Sequence, residues 1–367
     1  TPDCARFGMH ILRGRINACE PKLLAAEILA ADCDVAIVRV PCASSSNMSD
    51  LSRWSFSVQH ADTLVYYKCD LDQYEPLSPR NTDVVFARAE AGDSDELRDL
   101  IAQTFKNYAS HYHANPLFAP TSILAGYQEW AEKHLNGPDQ SLWTARRAGQ
   151  LVAFAACQDH VQRGEAEGIL YGVSPDAAGG GLYGDLIRHT QADAKQRGLH
   201  VMKVSTQVGN FAVQKVWTRE GFYLYEALDT FHVNALLSIG EVIVDRPLSF
   251  DVAAIDRFAR ASGDANPIHM DDSAAQAAGY PSRIAHGVMA ASEFSRILGT
   301  EVPGPGTVFG NLNMAFLRPL VAQETYRLQM RIPGGMKESG SMQVVMTIRD
   351  GAERVCFLGR SNIFLKR

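Results

Sequence analysis

The sequence lacks any pairing among its cysteines. The seven are scattered at 4, 19, 33, 42, 69, 157 and 356, with no Cys-x-x-Cys pair. That argues against a disulfide framework or a thiolate zinc site and for a reducing, cytoplasmic compartment. Basic charge is also short: 35 Lys and Arg face 41 Asp and Glu, for a net charge of −6. Such a chain offers no field to attract nucleic acid or an anionic membrane surface, so neither is expected as a partner. No apolar run approaches the roughly 18 residues that would span a bilayer. The opening residues show no basic-then-apolar signal pattern. Repeats and low-complexity tracts are missing too. What is present is ordinary globular composition, 46% hydrophobic and 21% charged over 367 residues. At about 150 residues per domain, that length suggests two or three domains.

Along the chain, periodicity separates three stretches. Residues 1–82 alternate strand and helix, ending in a proline-bearing, aperiodic segment at 73–83. From Val84 a strand leads to the cap cluster Asp93-Ser94-Asp95 and a helix to about Tyr108. A second helix is expected from Thr121 to Leu135, then strands at 142–147, 151–158 and 165–173. A glycine loop, a helix over 183–197, a strand over 201–207, a helix over 210–220 and a closing strand pair to about Val233 follow. Near 236–240 the pattern restarts with a strand over 241–250 and a helix over 253–261. An apolar helix over 287–298 and long strands at 307–317, 324–332, 341–349 and 355–364 complete it. The expected domains are therefore 1–82, 83–236 and 240–367, all of mixed α/β (α+β) class.

The stretch from Val173 through Gly179, Gly180 and Gly181 to Tyr183 and Gly184 is a strand, a glycine loop and a helix start. Glycines let backbone N–H groups turn toward an anion, and a helix N-terminus adds positive potential, so this is a physical pyrophosphate site. It resembles the acyl-CoA-binding motif Q/R-x-x-G-x-G/A of the GCN5-related N-acetyltransferase superfamily. Ala178 stands at the Gln/Arg position and Tyr183 at the Gly/Ala position. Ser205 to Asn210, Lys215-Val216-Trp217 and Glu220-Gly221-Phe222 extend the resemblance. Asp3-Cys-Ala-Arg-Phe7-Gly8, Ala61 to Tyr67 and His111 to Pro116 point it toward acyltransferases of nucleotide-linked amino sugars. The resemblance implies an acyl-CoA held by Val173, Gly179, Gly180, Gly181, Tyr183, Gly184 and Asn210. An amine acceptor would lie near His113. Glu165 and Glu167, two apart on one strand face, are candidates to assist deprotonation of the amine. Where the family commonly has an acidic Tyr, this sequence has Trp217, so Tyr183 or water would protonate the leaving thiolate.

Farther on, Ser262-Gly263-Asp264-Ala265-Asn266-Pro267-Ile268-His269, with Ala275 six residues later, resembles the MaoC-like (R)-specific enoyl-CoA hydratases. The resemblance implies a hot-dog fold and a thioester substrate. Asp264 and His269 would share the attacking water, with Asn266 and Pro267 shaping the loop. The Gly287 N–H, opening the apolar helix, would donate to the thioester oxygen. The whole chain then reads as an acetyltransferase fold with an extra N-terminal lobe, followed by one hot-dog unit. Expected ligands are coenzyme A thioesters and an amine, with no metal. A lone hot-dog unit leaves a sheet edge open, so a homodimer or higher homo-oligomer is expected. Three readings remain open: two enzymes in one chain, an acyltransferase on a silent dimerisation scaffold, or an acceptor that is an antibiotic or lipid amine.

Overall fold

The computed structural model describes residues 1–106, 108–135, 137, 139–334 and 340–365. In chain order the first elements are α1 (Pro2–Phe7), β1 (Ile11–Arg15), α2 (Pro21–Ala30), β2 (Val35–Pro41) and β3 (Ser57–Asp70). Next come β4 (Val84–Arg88), α3 (Ser94–Phe105), α4 (Pro120–Glu132), β5 (Gln140–Arg147), β6 (Gln150–His160) and β7 (Glu165–Val173). α5 (Leu182–Gln196), β8 (Val201–Gln207), α6 (Phe211–Arg219) and β9 (Tyr223–Asn234) follow. The last group is β10 (Glu241–Leu248), α7 (Val252–Ser262), α8 (Pro267–Met270), α9 (Asp272–Ala277) and α10 (Gly287–Thr300). It ends with β11 (Thr307–Phe309), β12 (Asn313–Phe316), β13 (Tyr326–Ile332), β14 (Ser341–Arg349) and β15 (Val355–Leu365). By contact density these form two compact units. One holds residues 39–45 and 60–230; the other holds 1–38, 46–59 and 231–367.

Within the first of these units the sheet runs β3-β8-β7-β6-β5-β4. Every pair is antiparallel except β7 with β8. β6 explains why helices cover both faces. Successive side chains on a strand point to opposite faces, and here both sets are apolar. Phe154 and Ala156 pack with Leu97, Leu100 and Ile101 of α3, whereas Ala153 and Ala155 pack with Leu182 and Leu186 of α5. Gly172 of β7 lies under the Phe154 ring, where a Cβ would come within 2.3 Å of Cε1.

In the other unit the sheet runs β10-β13-β14-β15-β11, with β12 also paired to β15. The apolar face of α10, through Ala290, Phe294, Ile297 and Leu298, packs on Leu328, Met330, Val344, Met346 and Phe357. Two expectations differ from what forms. The stretch 307–317 is two short strands, because Gly310 crosses so close to β15 that a Cβ would meet Phe364 at 2.5 Å. The closing strand pair after Gly221 is the single strand β9.

Candidate active sites

In the hot-dog unit, α7 ends at Gly263 in a left-handed conformation (φ 79°), which turns the chain sharply into the Asp264 loop. Asp264 Oδ1 accepts from Asn266 N–H (3.2 Å), and Asn266 Oδ1 accepts from Ile268 N–H (3.4 Å), capping α8. Pro267 opens that helix, where its missing N–H costs nothing. This local chain of caps sets His269 on α8, buried, with Nδ1 2.8 Å from the carbonyl oxygen of Ile284. A carbonyl only accepts, so Nδ1 carries a proton, and in the neutral ring Nε2 presents a lone pair.

His286 follows from the next turn. It is buried, stacks on His269 with ring centroids 3.9 Å apart, and donates from Nε2 to the Asp264 carbonyl oxygen at 2.9 Å. Its Nδ1 is buried without a hydrogen-bond partner among the described residues. The Asp264 carboxylate stays half-exposed, with Oδ2 4.0 Å from His286 Nε2. One ligand atom from each of Asp264, His269 and His286 lies within 4.8 Å of the others. Gly287 begins the 14-residue α10 directly after His286. A Cβ there would press on the Phe316 ring at 2.9 Å, so the bare backbone is required for this approach. The structure brings Asp264, Asn266, His269 and Gly287 into one region. His286 was not singled out from the sequence. Its only signal was its place in Ile284-Ala285-His286-Gly287, just ahead of a helix.

In the other unit the β7–β8 ladder runs only from Glu165–Val201 to Gly168–Val204. Beyond it the two parallel strands part. The cause is a bulge in β7: Cys157 opposes Gly168 and Ala156 opposes Leu170, leaving Ile169 without a partner on β6. Residues 169–173 thus have no ladder to β8 and can turn N–H groups toward a ligand. The loop after Val173 carries Gly179 at φ 83° and Gly181 at φ 81°, and Gly181 caps α5. A helix leaves its first N–H groups without intrahelical acceptors, so Leu182, Tyr183 and Gly184 supply donors beside the loop.

The loop is braced from beneath. The buried Asp185 carboxylate accepts from the backbone N–H of Arg80 (2.8 Å) and Asn81 (2.9 Å), and the Asn81 amide also donates to Gly180 O (3.1 Å). Those hydrogen bonds and the Arg188 charge hold the Asp185 carboxyl below its usual range against the opposing effect of burial. Arg188 donates in turn to Asp185 (2.8 Å) and twice to Glu220 (2.8 and 2.5 Å).

The remaining residues sit as follows. Gly184 is buried opposite Val216 and Glu220. Asn210 precedes α6 and donates to Thr206 Oγ1 at 3.0 Å. Tyr183 is half-buried, and burial raises its hydroxyl pKa, so it is a neutral donor. Trp217 is buried in the core with its ring 5.5 Å from that of Tyr67. Glu165 lies at the opposite end of β7 from the loop and is ion-paired with Lys203 at 2.5 Å, which lowers its carboxyl pKa. Glu167 contacts His160 at 3.1 Å. His113 is exposed, and its Nδ1 accepts from Ser110 N–H at 3.1 Å in a capping box. Tyr108, unmarked in the sequence, donates from its hydroxyl to Gln207 at the end of β8.

Comparison with known proteins agrees with this division. The family described as MaoC like domain matches residues 237–355, and the Acetyltransferase (GNAT) family matches residues 97–222. An (R)-specific enoyl-CoA hydratase of Rhodospirillum rubrum is 36% identical over 81 residues, 22% of this chain and 56% of that protein. A 3-hydroxybutyryl-CoA dehydratase of Methylorubrum extorquens is 29% identical over 119 residues, 32% of this chain and 74% of that protein. A mycothiol acetyltransferase of Streptomyces bingchenggensis is 32% identical over 87 residues, 24% of this chain and 28% of that protein. The chain thus spans about half the length of the first relative. Both families use acyl-CoA substrates and need no metal. No helix among the described residues is long and apolar enough to cross a membrane. The chain therefore joins an acetyltransferase domain of the GNAT family to a MaoC-like hot-dog domain.

Proposed function

We propose that the chain is a bifunctional acyl-CoA enzyme. Its hot-dog domain hydrates an enoyl-CoA to an (R)-3-hydroxyacyl-CoA. Its acyltransferase domain moves an acyl group from coenzyme A to an amine, that of a nucleotide-linked amino sugar. The observation that supports the first activity is the convergence of Asp264, His269 and His286, with His269 Nε2 left as a proton acceptor. In hydration a water oxygen bonds to Cβ while one of its protons leaves and a proton is delivered to Cα. His269 Nε2 takes the proton from water, and the Asp264 carboxylate orients that water by accepting its second hydrogen. The proton held on His269 then passes to Cα, so the site returns to its starting state. Negative charge gathers meanwhile on the thioester oxygen, where the Gly287 N–H at the positive end of α10 donates.

For transfer, the parted strands and the glycine loop support an acyl-CoA held with its pyrophosphate at α5. The backbone at 169–173 would polarise the thioester carbonyl while the neutral amine attacks. The thioester C–S bond breaks, the amide forms, and Tyr183 or water protonates the thiolate. His113, Glu165 and Asn210 are the acceptor-side and cofactor-side contacts in this reading, and a second copy of the chain completes the hot-dog unit. The sugar acceptor rests on the resemblance at Asp3–Gly8, Ala61–Tyr67 and His111–Pro116.

The test is loss of the conjugated enoyl absorbance when the full chain meets a short enoyl-CoA, alongside thiol release from acyl-CoA across a panel of nucleotide-linked amino sugars. Transfer without hydration would favour a hot-dog domain that serves only as a dimerisation scaffold. Hydration without transfer to any sugar would redirect the acceptor to antibiotic or lipid amines.

A further inference from the structure

The sheet of the hot-dog unit has a second face, turned away from α10, and that face holds a charge with no counterpart among the described residues. On β14 and β15 the core side takes Val344, Met346, Phe357 and Ile363. Alternation therefore sends Gln343, Arg360 and Asn362 to the other side. Arg360 pairs across the ladder with Asn313 of β12 and Val345 of β14. Against this side lies the segment 46–57 of the same unit, and together they line a half-open cavity of about 320 Å³. Its lining includes Arg360, Ser55, Ser57, Asn313, Gln343 and Asn362.

Two lining groups are buried and unsatisfied. Arg360 is 5% exposed. It donates from one terminal nitrogen to the Ala235 carbonyl oxygen, yet its Nε has no acceptor and no carboxylate pairs with it among the described residues. Ser55 is 6% exposed, and its hydroxyl also has no partner. Ser55 is further held at φ 60°, a conformation that favours glycine. A desolvated charge without a partner is expensive, and so is a strained backbone carrying an idle hydroxyl. Burial alone draws the Arg360 guanidinium down to about 9, which still leaves it charged at neutral pH. Among the described residues no acidic side chain is in the lining; the rest is hydroxyl, amide and one phenyl ring.

We propose that this cavity is a binding site for a small oxyanion-bearing molecule, a hydroxylated carboxylate or phosphate ester. Arg360 supplies the charge and Ser55 a hydroxyl donor, while the surrounding amides and serines contact the hydroxyl groups. The volume, worth roughly ten waters at their liquid share, exceeds what a bare phosphate needs. The site stands apart from the acyl-CoA chemistry proposed above and does not depend on it.

The experiment is thermal unfolding and calorimetric titration of the full chain at matched ionic strength. The probes are inorganic phosphate, glycerol 3-phosphate and tartrate, with glycerol as the neutral control. A saturable rise in Tm with phosphate probes alone assigns a phosphate ester, and a rise with tartrate alone assigns a carboxylate. Arg360→Met is expected to abolish the shift while raising the unliganded Tm, because it removes the unpaired charge and only a little volume. If that variant does not fold, Ser55→Gly decides, since it relieves the positive φ and deletes the hydroxymethyl group with its donor. It should weaken binding about fivefold, the worth of one hydrogen bond of about 1 kcal/mol. No saturable shift with any anion overturns the proposal. So does a shift that survives unchanged in Arg360→Met, or, where that variant fails to fold, in Ser55→Gly.

Discussion

His269 shows how much one hydrogen bond decides at the scale of a residue. Its Nδ1 is spent on the Ile284 carbonyl oxygen, so the lone pair at Nε2 is the only basic atom the ring can offer. Replacing the ring or the carboxylate should therefore stop water activation and little else. His269→Ala and Asp264→Ala are each expected to lower hydration of a short enoyl-CoA by about 10²–10⁴-fold. Acyl transfer should be unchanged, as separate steady-state assays of the two activities would show. Two other histidines, His189 and His232, bear on acid stability. His189 on α5 stacks on Phe86 at 4.7 Å and meets the edge of Trp143 at 4.3 Å. Burial first, and the Arg88 charge second, push its pKa from 6.5 down to about 4. The unfolded chain then binds the proton more readily than the folded one between those values. The stability contribution is complete above pH 6.5 and is lost as pH falls toward 4. Its size is on the order of 2 kcal/mol, because part of the ring remains solvent-screened. His189→Phe should reduce the slope of Tm against pH across that window, with His232, which burial also pulls down to about 4, keeping the remainder.

The elements differ in how plainly their residues announced them. The spans of β7, β8 and β14 coincide with the periodicity of 165–173, 201–207 and 341–349, because each lies in a sheet whose burial alternates or is continuous. β11 and β12 were hidden inside one apolar run, since the break at Gly310 depends on Phe364 of another strand. α8 and α9 escaped periodicity because they are shorter than two helical turns. The parting of β7 from β8 has its cause, a bulge at Ile169, in the pairing with β6, which no local pattern reports. Close approach makes a test of this layer. Gly172→Ala would drive a Cβ into Phe154, which is fully buried and has no room to move. The expected cost is about 1–3 kcal/mol from overpacking. Chemical denaturation would measure it, and the combination with Phe154→Leu should recover most of the loss.

For the whole molecule the question is why a GNAT domain and a MaoC-like domain share one chain. Covalent linkage raises the local concentration of one domain's product near the other, to the millimolar range for short flexible connections. If the activities are coupled, an enoyl-CoA and a nucleotide-linked amino sugar should yield a 3-hydroxyacyl amide with no other enzyme present. Mass spectrometry of that mixture is the measurement, with His269→Ala as the control that should give no hydroxylated amide. An amide carrying the unhydrated enoyl chain would count against coupling. Much of this was legible beforehand. The Gly179–Gly181 loop and the Gly263–His269 motif are local: their residues lie within a few positions of each other, so spacing alone specifies the turn, the cap and the side chains it presents. By itself the sequence determined two acyl-CoA-type domains, their order and most of their strands. Tertiary structure alone decided that His286 stacks on His269, that Asp185 braces the glycine loop from beneath, and that residues 1–38 and 46–59 cluster with the hot-dog domain. It also decided that Arg360 faces Ser55 across a cavity. Those pairs are separated by anything from 17 to about 300 residues, and no local propensity or period reaches that far; only packing brings them together.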